Sequence, residues 1–270
     1  MAVIDGTRGN DTLIGTDDAD VIAGKGGDDE LRGFGGNDNL RGNKGNDNLR
    51  GNKGNDTLDG GIGDDTLAGG AGVDTADYGN LVIKRVSGTI AGLDVDLRAN
   101  ASASGAFALH SSTNNALSWT DALSGIENVI GTHRNDRFIG NAADNVFDGG
   151  SEVGRDDRVT TFADKQGGQS YGVTADVVEY FGREDQYLFT RNTDGDLVVS
   201  SSTRNIGTDT LRDIEFLYFA GQNRLVAVED LEISAPNGAP TITSSATPSV
   251  AENQTAVIDL ETTDDVSSEG

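Results

Sequence analysis

An apolar residue recurs every nine positions through the N-terminal part of the chain. Leu13, Ile22, Leu31, Leu40, Leu49, Leu58 and Leu67 keep this spacing, and Ala76 takes the eighth place. Polar or small residues flank most of them, so each x-Leu-x reads as a three-residue strand with one side chain inward and two outward. Glycine keeps the same period at Gly6, Gly15, Gly24, Gly33, Gly42, Gly51, Gly60 and Gly69. A second glycine follows three residues later in seven of the eight copies, failing only at Asp18. Glycine suits turns that need a positive φ or a close backbone approach. Turn, short strand, turn, short strand describes a coil winding into parallel sheets, with two nine-residue units per coil.

The pattern changes after Asp77. Residues 78–97 alternate apolar and polar positions, as in LVIKRV and LDVDL, and read as strands. The Ala- and Ser-rich run 99–115 reads as a loop. The nine-residue rhythm returns at Gly131, Gly140 and Gly149, with Phe138 and Phe147 at the apolar position. A third copy there is interrupted before Asp156 and Asp157. Residues 174–231 alternate again, with Asp194–Asp196 (Asp-Gly-Asp) marking a hairpin turn. The phrase D-x-L-x-x-I-E-x-[VL] occurs at Asp121–Val129 and at Asp209–Leu217 and is expected to close the open end of a roll.

The expected fold class is therefore all-β. It comprises a parallel β-roll over 1–77, a β-rich connection over 78–130, degenerate repeats over 131–160 and a strand-rich cap over 161–233. SAPNGAP supplies a linker at 234–240. Residues 241–270 resemble the opening of a cadherin-like β-sandwich, with Glu252, Asp264 and Asp265 at places comparable to its inter-domain calcium ligands. Thirty residues fall short of the ~100 of a complete sandwich, so the sequence is expected to belong to a longer protein.

Charge then changes the picture. The chain has 270 residues, 45 Asp and Glu against 20 Lys and Arg, and a formal net charge of -25. Such a chain cannot hold nucleic acid by neutralising phosphates. Its acids are not scattered: five positions after each first glycine stands an aspartate, at Asp11, Asp20, Asp29, Asp38, Asp47, Asp56, Asp65 and Asp74. In the returning repeats Asp136 and Asn145 take that place. Stacked coils would bring these carboxylates together, and a divalent cation between them turns repulsion into stabilisation. The apolar content alone does not suffice. One buried side chain contributes roughly 1.5–3 kcal/mol, whereas ordering nine backbones costs roughly 1–2 kcal/mol each. Oxygen donors suit Ca²⁺ or Mg²⁺. With no cysteine and only His110 and His133, thiolate and multi-histidine metal sites have no basis here.

The unit G-x-x-G-x-D-x-[LI]-x resembles the RTX, or haemolysin-type, calcium-binding nonapeptide, and GGIGDDTLA (60–68) meets it at every position. The resemblance implies a parallel β-roll with several Ca²⁺ ions in its turns. The implied ligands are the eight aspartates and Asp136. Turn carbonyls near Gly24, Gly27, Gly33, Gly36, Gly42, Gly45, Gly51, Gly54, Gly60, Gly63, Gly69 and Gly72 complete the set. The second glycine of the family pattern is absent at Thr7, Thr16, Lys25, Phe34, Asn43 and Asn52, and Asp18 replaces a further glycine, so the first two copies are expected to form an incomplete cap. Lys25, Lys44 and Lys53, with Arg32, Arg41 and Arg50, read as solvated charge-balancing positions.

The chain shows no nucleophile elbow, zincin helix, Walker A loop or Rossmann fingerprint. Catalysis is not expected within it. The function expected is a calcium-binding, calcium-folded module of a large secreted or cell-surface bacterial protein of the type I secretion kind. The alternatives are an adhesin or matrix-binding module, or the non-catalytic part of an extracellular protease, lipase or polysaccharide-modifying enzyme. Matrix, polysaccharide or cell-surface partners fit these readings; membrane insertion does not, since no apolar run reaches ~18 residues. The segment is expected to be monomeric and, by its first residues, to lack an N-terminal signal peptide.

Overall fold

The computed structural model describes residues 1–81, 92–98, 102–107, 117–150, 160–163, 170–173 and 175–234. Among the described residues every regular element is a strand, apart from the 3-10 turns Glu184–Gln186 and Val228–Asp230. Asp156, Asp157, Glu252, Asp264 and Asp265 lie outside the described residues, as do the linker beyond Ser234 and the expected sandwich start.

Two large sheets face each other, one of ten strands and one of eleven. Through the first repeats the chain alternates between them every nine residues, so in-sheet neighbours stand eighteen residues apart. In one sheet Ile22 pairs with Leu40, Leu40 with Leu58 and Leu58 with Ala76, all in parallel. In the other Leu13, Leu31, Leu49 and Leu67 follow one another in the same way.

Strands in the central coils are longer than the three residues expected. Glu30–Gly35, Asn39–Lys44, Asn48–Lys53, Thr57–Ile62 and Thr66–Ala71 each run six residues. Pairing continues past the first glycine, with Asn43 opposite Gly61 and Lys44 opposite Ile62. Without a side chain at that glycine, successive coils approach closely enough for the turn backbone to join the ladder. The Gly45 N–H donates to the Ile62 carbonyl at 3.0 Å and Gly54 to Ala71 at 2.9 Å.

The sheets do not break at residue 77 or 130. Asn128–Ile130 pairs in parallel with Thr75–Asp77 on one side and Val146–Asp148 on the other. In the second sheet Leu117–Ser124 joins Thr66–Ala71 in parallel and Ser102–Phe107 antiparallel, and Ser102–Phe107 in turn pairs antiparallel with Leu93–Asp96. Arg137–Ile139, Val177–Tyr180 and Phe216–Phe219 resume the parallel order. Ser102–Phe107 is thus a strand where a loop was expected, because neighbours on both sides supply backbone partners. The D-x-L-x-x-I-E phrases do not simply end the stack. Each stands where parallel pairing passes to antiparallel, and after the first the parallel order returns.

The core is a double column between the sheets. Ile22, Leu40, Leu58, Ala76, Val129, Phe147 and Leu211 form one wall, in register with one another. Leu31, Leu49, Leu67 and Leu123, then Val95, Phe138, Val178 and Leu217, form the other. All are buried. Phe138 and Phe147 stack across the core at 5.3 Å between ring centres. Asp94 and Asp96 point outward on either side of buried Val95, and Arg137 holds Asp94 at 2.8 Å while Arg98 pairs with Asp96.

Candidate metal centre

Each repeat aspartate stands immediately before an inward leucine strand, at the end of the turn. Its backbone fixes one carboxylate oxygen of the next coil. The Asp11 N–H donates to Asp29 Oδ1 at 2.8 Å, Asp29 to Asp47 and Asp47 to Asp65, both also at 2.8 Å. On the opposite edge Asp20 donates to Asp38 at 2.7 Å, and Asp38 to Asp56 and Asp56 to Asp74 at 2.8 Å. Two rows of carboxylates therefore run along the stack, one on each edge.

A second ladder runs the other way from the preceding residue. Asn10 Oδ1 accepts from the Asp28 N–H at 2.9 Å, Asp28 from Asn46 at 2.9 Å and Asn46 from Asp64 at 3.0 Å. Asn37 and Asn55 do the same on the other edge. This gives the Asn-Asp pair of the repeats a physical reason, since each residue ties the turn to a different neighbouring coil.

The other aspartate oxygen, Oδ2, faces the first glycine of its own repeat. A Cβ on Gly24, Gly33, Gly42, Gly51 or Gly60 would overlap the carboxylate of Asp29, Asp38, Asp47, Asp56 or Asp65. At Gly33 and Gly42 the same Cβ would stand 2.9 and 2.6 Å from the carbonyl oxygens of Gly51 and Gly60, one coil further on. The space glycine leaves is thus lined by a carboxylate oxygen and a backbone carbonyl oxygen. The fourth-position glycines Gly27, Gly36, Gly45, Gly54, Gly63 and Gly72 all have positive φ. A Cβ on Gly45, Gly54, Gly63 or Gly72 would overlap the carbonyl of the matching glycine one coil earlier. These turns can stack only as glycine.

Burial makes Oδ2 the critical atom. Oδ2 of Asp29, Asp38, Asp47, Asp56, Asp65 and Asp74 is buried and has no hydrogen-bond partner. The residues themselves are 0–3 % exposed. Loss of hydration pushes the carboxyls of Asp38, Asp47 and Asp74 up to about 6 and that of Asp65 to about 7. Asp29 and Asp56 are raised by the same cause. A buried carboxylate with one bare oxygen is short of positive charge. Among the described residues no three carboxylate or histidine side chains converge on one point. An ion would therefore be held by separate carboxylates and glycine carbonyls. The donors are all oxygen, which fits Ca²⁺.

The three remaining expected ligands have Oδ2 occupied by a threonine. Thr7 gives its N–H and hydroxyl to Asp11 at 2.6 and 2.8 Å, and Thr16 does the same for Asp20 at 2.7 and 2.8 Å. Thr132 binds Asp136 through both groups. Asp11 and Asp20 are held below the usual carboxylate range, first by the backbone N–H of Thr7 and of Ala2, respectively. Burial raises Asp136 to about 7 despite its donors.

The rows also extend to residues that the nine-residue pattern does not mark. The Asp65 N–H donates to Asp121 Oδ1 and the Asp74 N–H to Glu127 Oε2, both at 2.9 Å. Further along, Leu93 donates to Asp136, Asp136 to Asp176 and Asp176 to Glu215. Asn145 donates to Asp209 at 3.2 Å. Asp121 and Glu127, then Asp209 and Glu215, are the acids of the recurrent D-x-L-x-x-I-E phrase, which places one carboxylate in each row. Asp176 takes the place left open by the interrupted copy, with its carboxylate against Gly149. D-x-x-[DE]-Y, at Asp74–Tyr78 and Asp176–Tyr180, is the sequence signal that accompanies both phrases. His133 sits half-buried in the turn after Ile130.

Residues 3–31, 14–49, 32–67, 41–76 and 121–152 match the family model of the RTX calcium-binding nonapeptide repeat (four copies). Among curated proteins none matches. A solved structure, the solution structure of the AlgE6R3 subunit from the Azotobacter vinelandii mannuronan C5-epimerase, is similar at 24% identity over 44% of this chain and 73% of that one, with a TM-score of 0.22.

Proposed function

From a chain that carries RTX calcium-binding nonapeptide repeats over residues 3–76 and 121–152, we propose a calcium-folded module of a larger secreted or cell-surface protein. The observation that carries this reading is the set of six buried, partnerless Oδ2 atoms, from Asp29 to Asp74. Burying an ion without a partner costs several kcal/mol in a real protein. A whole domain is stable by only about 5–15 kcal/mol. Two or three such charges are enough to unfold the roll, so at neutral pH it requires the cation. Bound calcium adds about 2.7 kcal/mol per site when its concentration is a hundredfold above Kd.

Where calcium is scarce, as in the cytosol, the repeats stay unfolded, a state suited to export by type I secretion. At the ~10⁻⁴–10⁻³ M affinities of extracellular modules, calcium outside the cell folds them. The module works by folding and contributes no catalytic group. Most of its buried acids belong to the two ladders, while Glu179 pairs with Arg137 and Asp59 accepts from Asn80, which supports that assignment.

The test replaces Asp38, Asp47 and Asp56 with Ala and follows calcium-dependent folding. The triple variant should lose the folding transition at calcium concentrations that fold the parent chain. An unchanged midpoint would show that these carboxylates do not bind the ion.

A further inference from the structure

The nine copies with aspartate five positions after the first glycine fall into two conformational classes, and the residue after that glycine separates them. In one class this residue has positive φ: Lys25 (80°), Phe34 (76°), Asn43 (78°), Asn52 (79°), Gly61 (97°) and Gly70 (120°). These six copies are the ones whose aspartate, Asp29, Asp38, Asp47, Asp56, Asp65 or Asp74, keeps Oδ2 bare. In the other class the residue is Thr7, Thr16 or Thr132, none of which has positive φ. There its N–H and hydroxyl both turn onto the carboxylate four residues on.

The division has a steric cause. A β-branched residue at positive φ is a true outlier, whereas glycine accepts that region freely and Asn tolerates it. Threonine therefore keeps the turn in the conformation that aims its N–H at the aspartate. Its hydroxyl also accepts the N–H two residues on, at 3.2 Å from Gly9, 3.2 Å from Asp18 and 3.1 Å from Arg134, which locks the turn. Lys25 and Phe34 point the same way from the other class. Neither favours positive φ, so holding a residue there strains the backbone. The strain occurs where the carboxylate oxygen is open.

We propose that the second repeat position decides which coils hold calcium. Threonine at this position supplies the donors that the ion would otherwise replace, and so closes the copies of Asp11, Asp20 and Asp136. Calcium is confined to the copies of Asp29, Asp38, Asp47, Asp56, Asp65 and Asp74. The G-T-x-x-x-D copies take no ion. This inference rests on the calcium-binding reading above.

The test counts bound calcium by flow dialysis on the full chain and follows the side-chain carboxyl resonances of ¹³C-labelled aspartate. In the parent chain, calcium should move the resonances of the six open aspartates and leave those of Asp11, Asp20 and Asp136 in place. Thr132→Gly should raise the number of bound ions, because Gly131 faces both Asp136 Oδ2 and the Gly149 carbonyl, the same pair of oxygens found at Gly33. Asn52→Thr should lower the number, while Asn52→Gly should preserve it. If Asn52→Thr does not fold, Thr132→Gly and the carboxyl resonances decide the matter. Shifts at Asp11, Asp20 and Asp136 equal to the others, with an unchanged ion count in Thr132→Gly, would overturn the proposal. A parent chain that binds no calcium would instead overturn the function on which it rests.

Discussion

The Tyr78 hydroxyl donates to Asp121 Oδ2 at 3.0 Å. It fills the oxygen position that stays bare in the six preceding repeats. Tyr180 does the same for Asp209 at 3.1 Å. Both phenols are fully buried and, for that reason, held well above the usual tyrosine range. The row that ends on the aspartate of each D-x-L-x-x-I-E phrase is thus closed by a phenol.

Removing that donor should be costly even with calcium present. Tyr78→Phe and Tyr180→Phe each leave a buried carboxylate oxygen unpaired, a loss of about 1–3 kcal/mol. Urea unfolding in saturating calcium should show a lower midpoint with an unchanged slope. A midpoint equal to that of the parent chain would mean that the phenol contributes nothing to the end of the row.

Protons should partly replace calcium. The carboxyls of Asp38, Asp47 and Asp74 are raised to about 6 and that of Asp65 to about 7, above the value of 3.8 for an exposed aspartate. A raised folded-state value means that the folded chain binds more protons than the unfolded one between about pH 4 and 7. Stability without calcium therefore falls as pH rises through that window and is regained on acidification. In chelator, circular dichroism at pH 5 should show more β-structure than at pH 7.5. Equal spectra at the two values would contradict the assignment of these buried groups.

The fourth-position glycines should tolerate no side chain. Gly54→Ala places a methyl group on the Gly36 carbonyl and requires positive φ of an alanine. Calcium-induced folding should fail, whereas Lys53→Ala, on an exposed neighbour, should leave it within about 0.5 kcal/mol of the parent. Similar behaviour of the two variants would show that the turns do not stack as described.

The leucine column should behave as an ordinary core. Leu49 is fully buried, and Leu49→Ala should cost about 2–5 kcal/mol in calcium-saturated protein. A smaller loss would place the stabilisation elsewhere than between the sheets.

The period of nine made much of this legible. Leu31, Leu40, Leu49 and Leu58 announce the column because every copy repeats one geometry, and Asp38 or Asp56 announces its row for the same reason. Three features were hidden because they depend on conformation or on distance along the chain. The contrast between Thr16 and Asn52 looks like ordinary variation until φ divides them. Asp176 is 27 positions beyond its glycine, Gly149, so no fixed spacing connects them. The phrase around Asp121 signals a strand, but only the fold shows that its aspartate and glutamate serve opposite edges. The continuity of the two sheets through residues 78–130 was equally hidden, since the chain there departs from the coil and returns.

The most direct measurement of the central claim is far-ultraviolet circular dichroism at pH 7.5, begun in excess chelator and titrated with calcium. The account predicts little β signal at the start and a cooperative gain as calcium reaches the ~10⁻⁴–10⁻³ M range. Full β signal in excess chelator, unchanged by calcium, would contradict it.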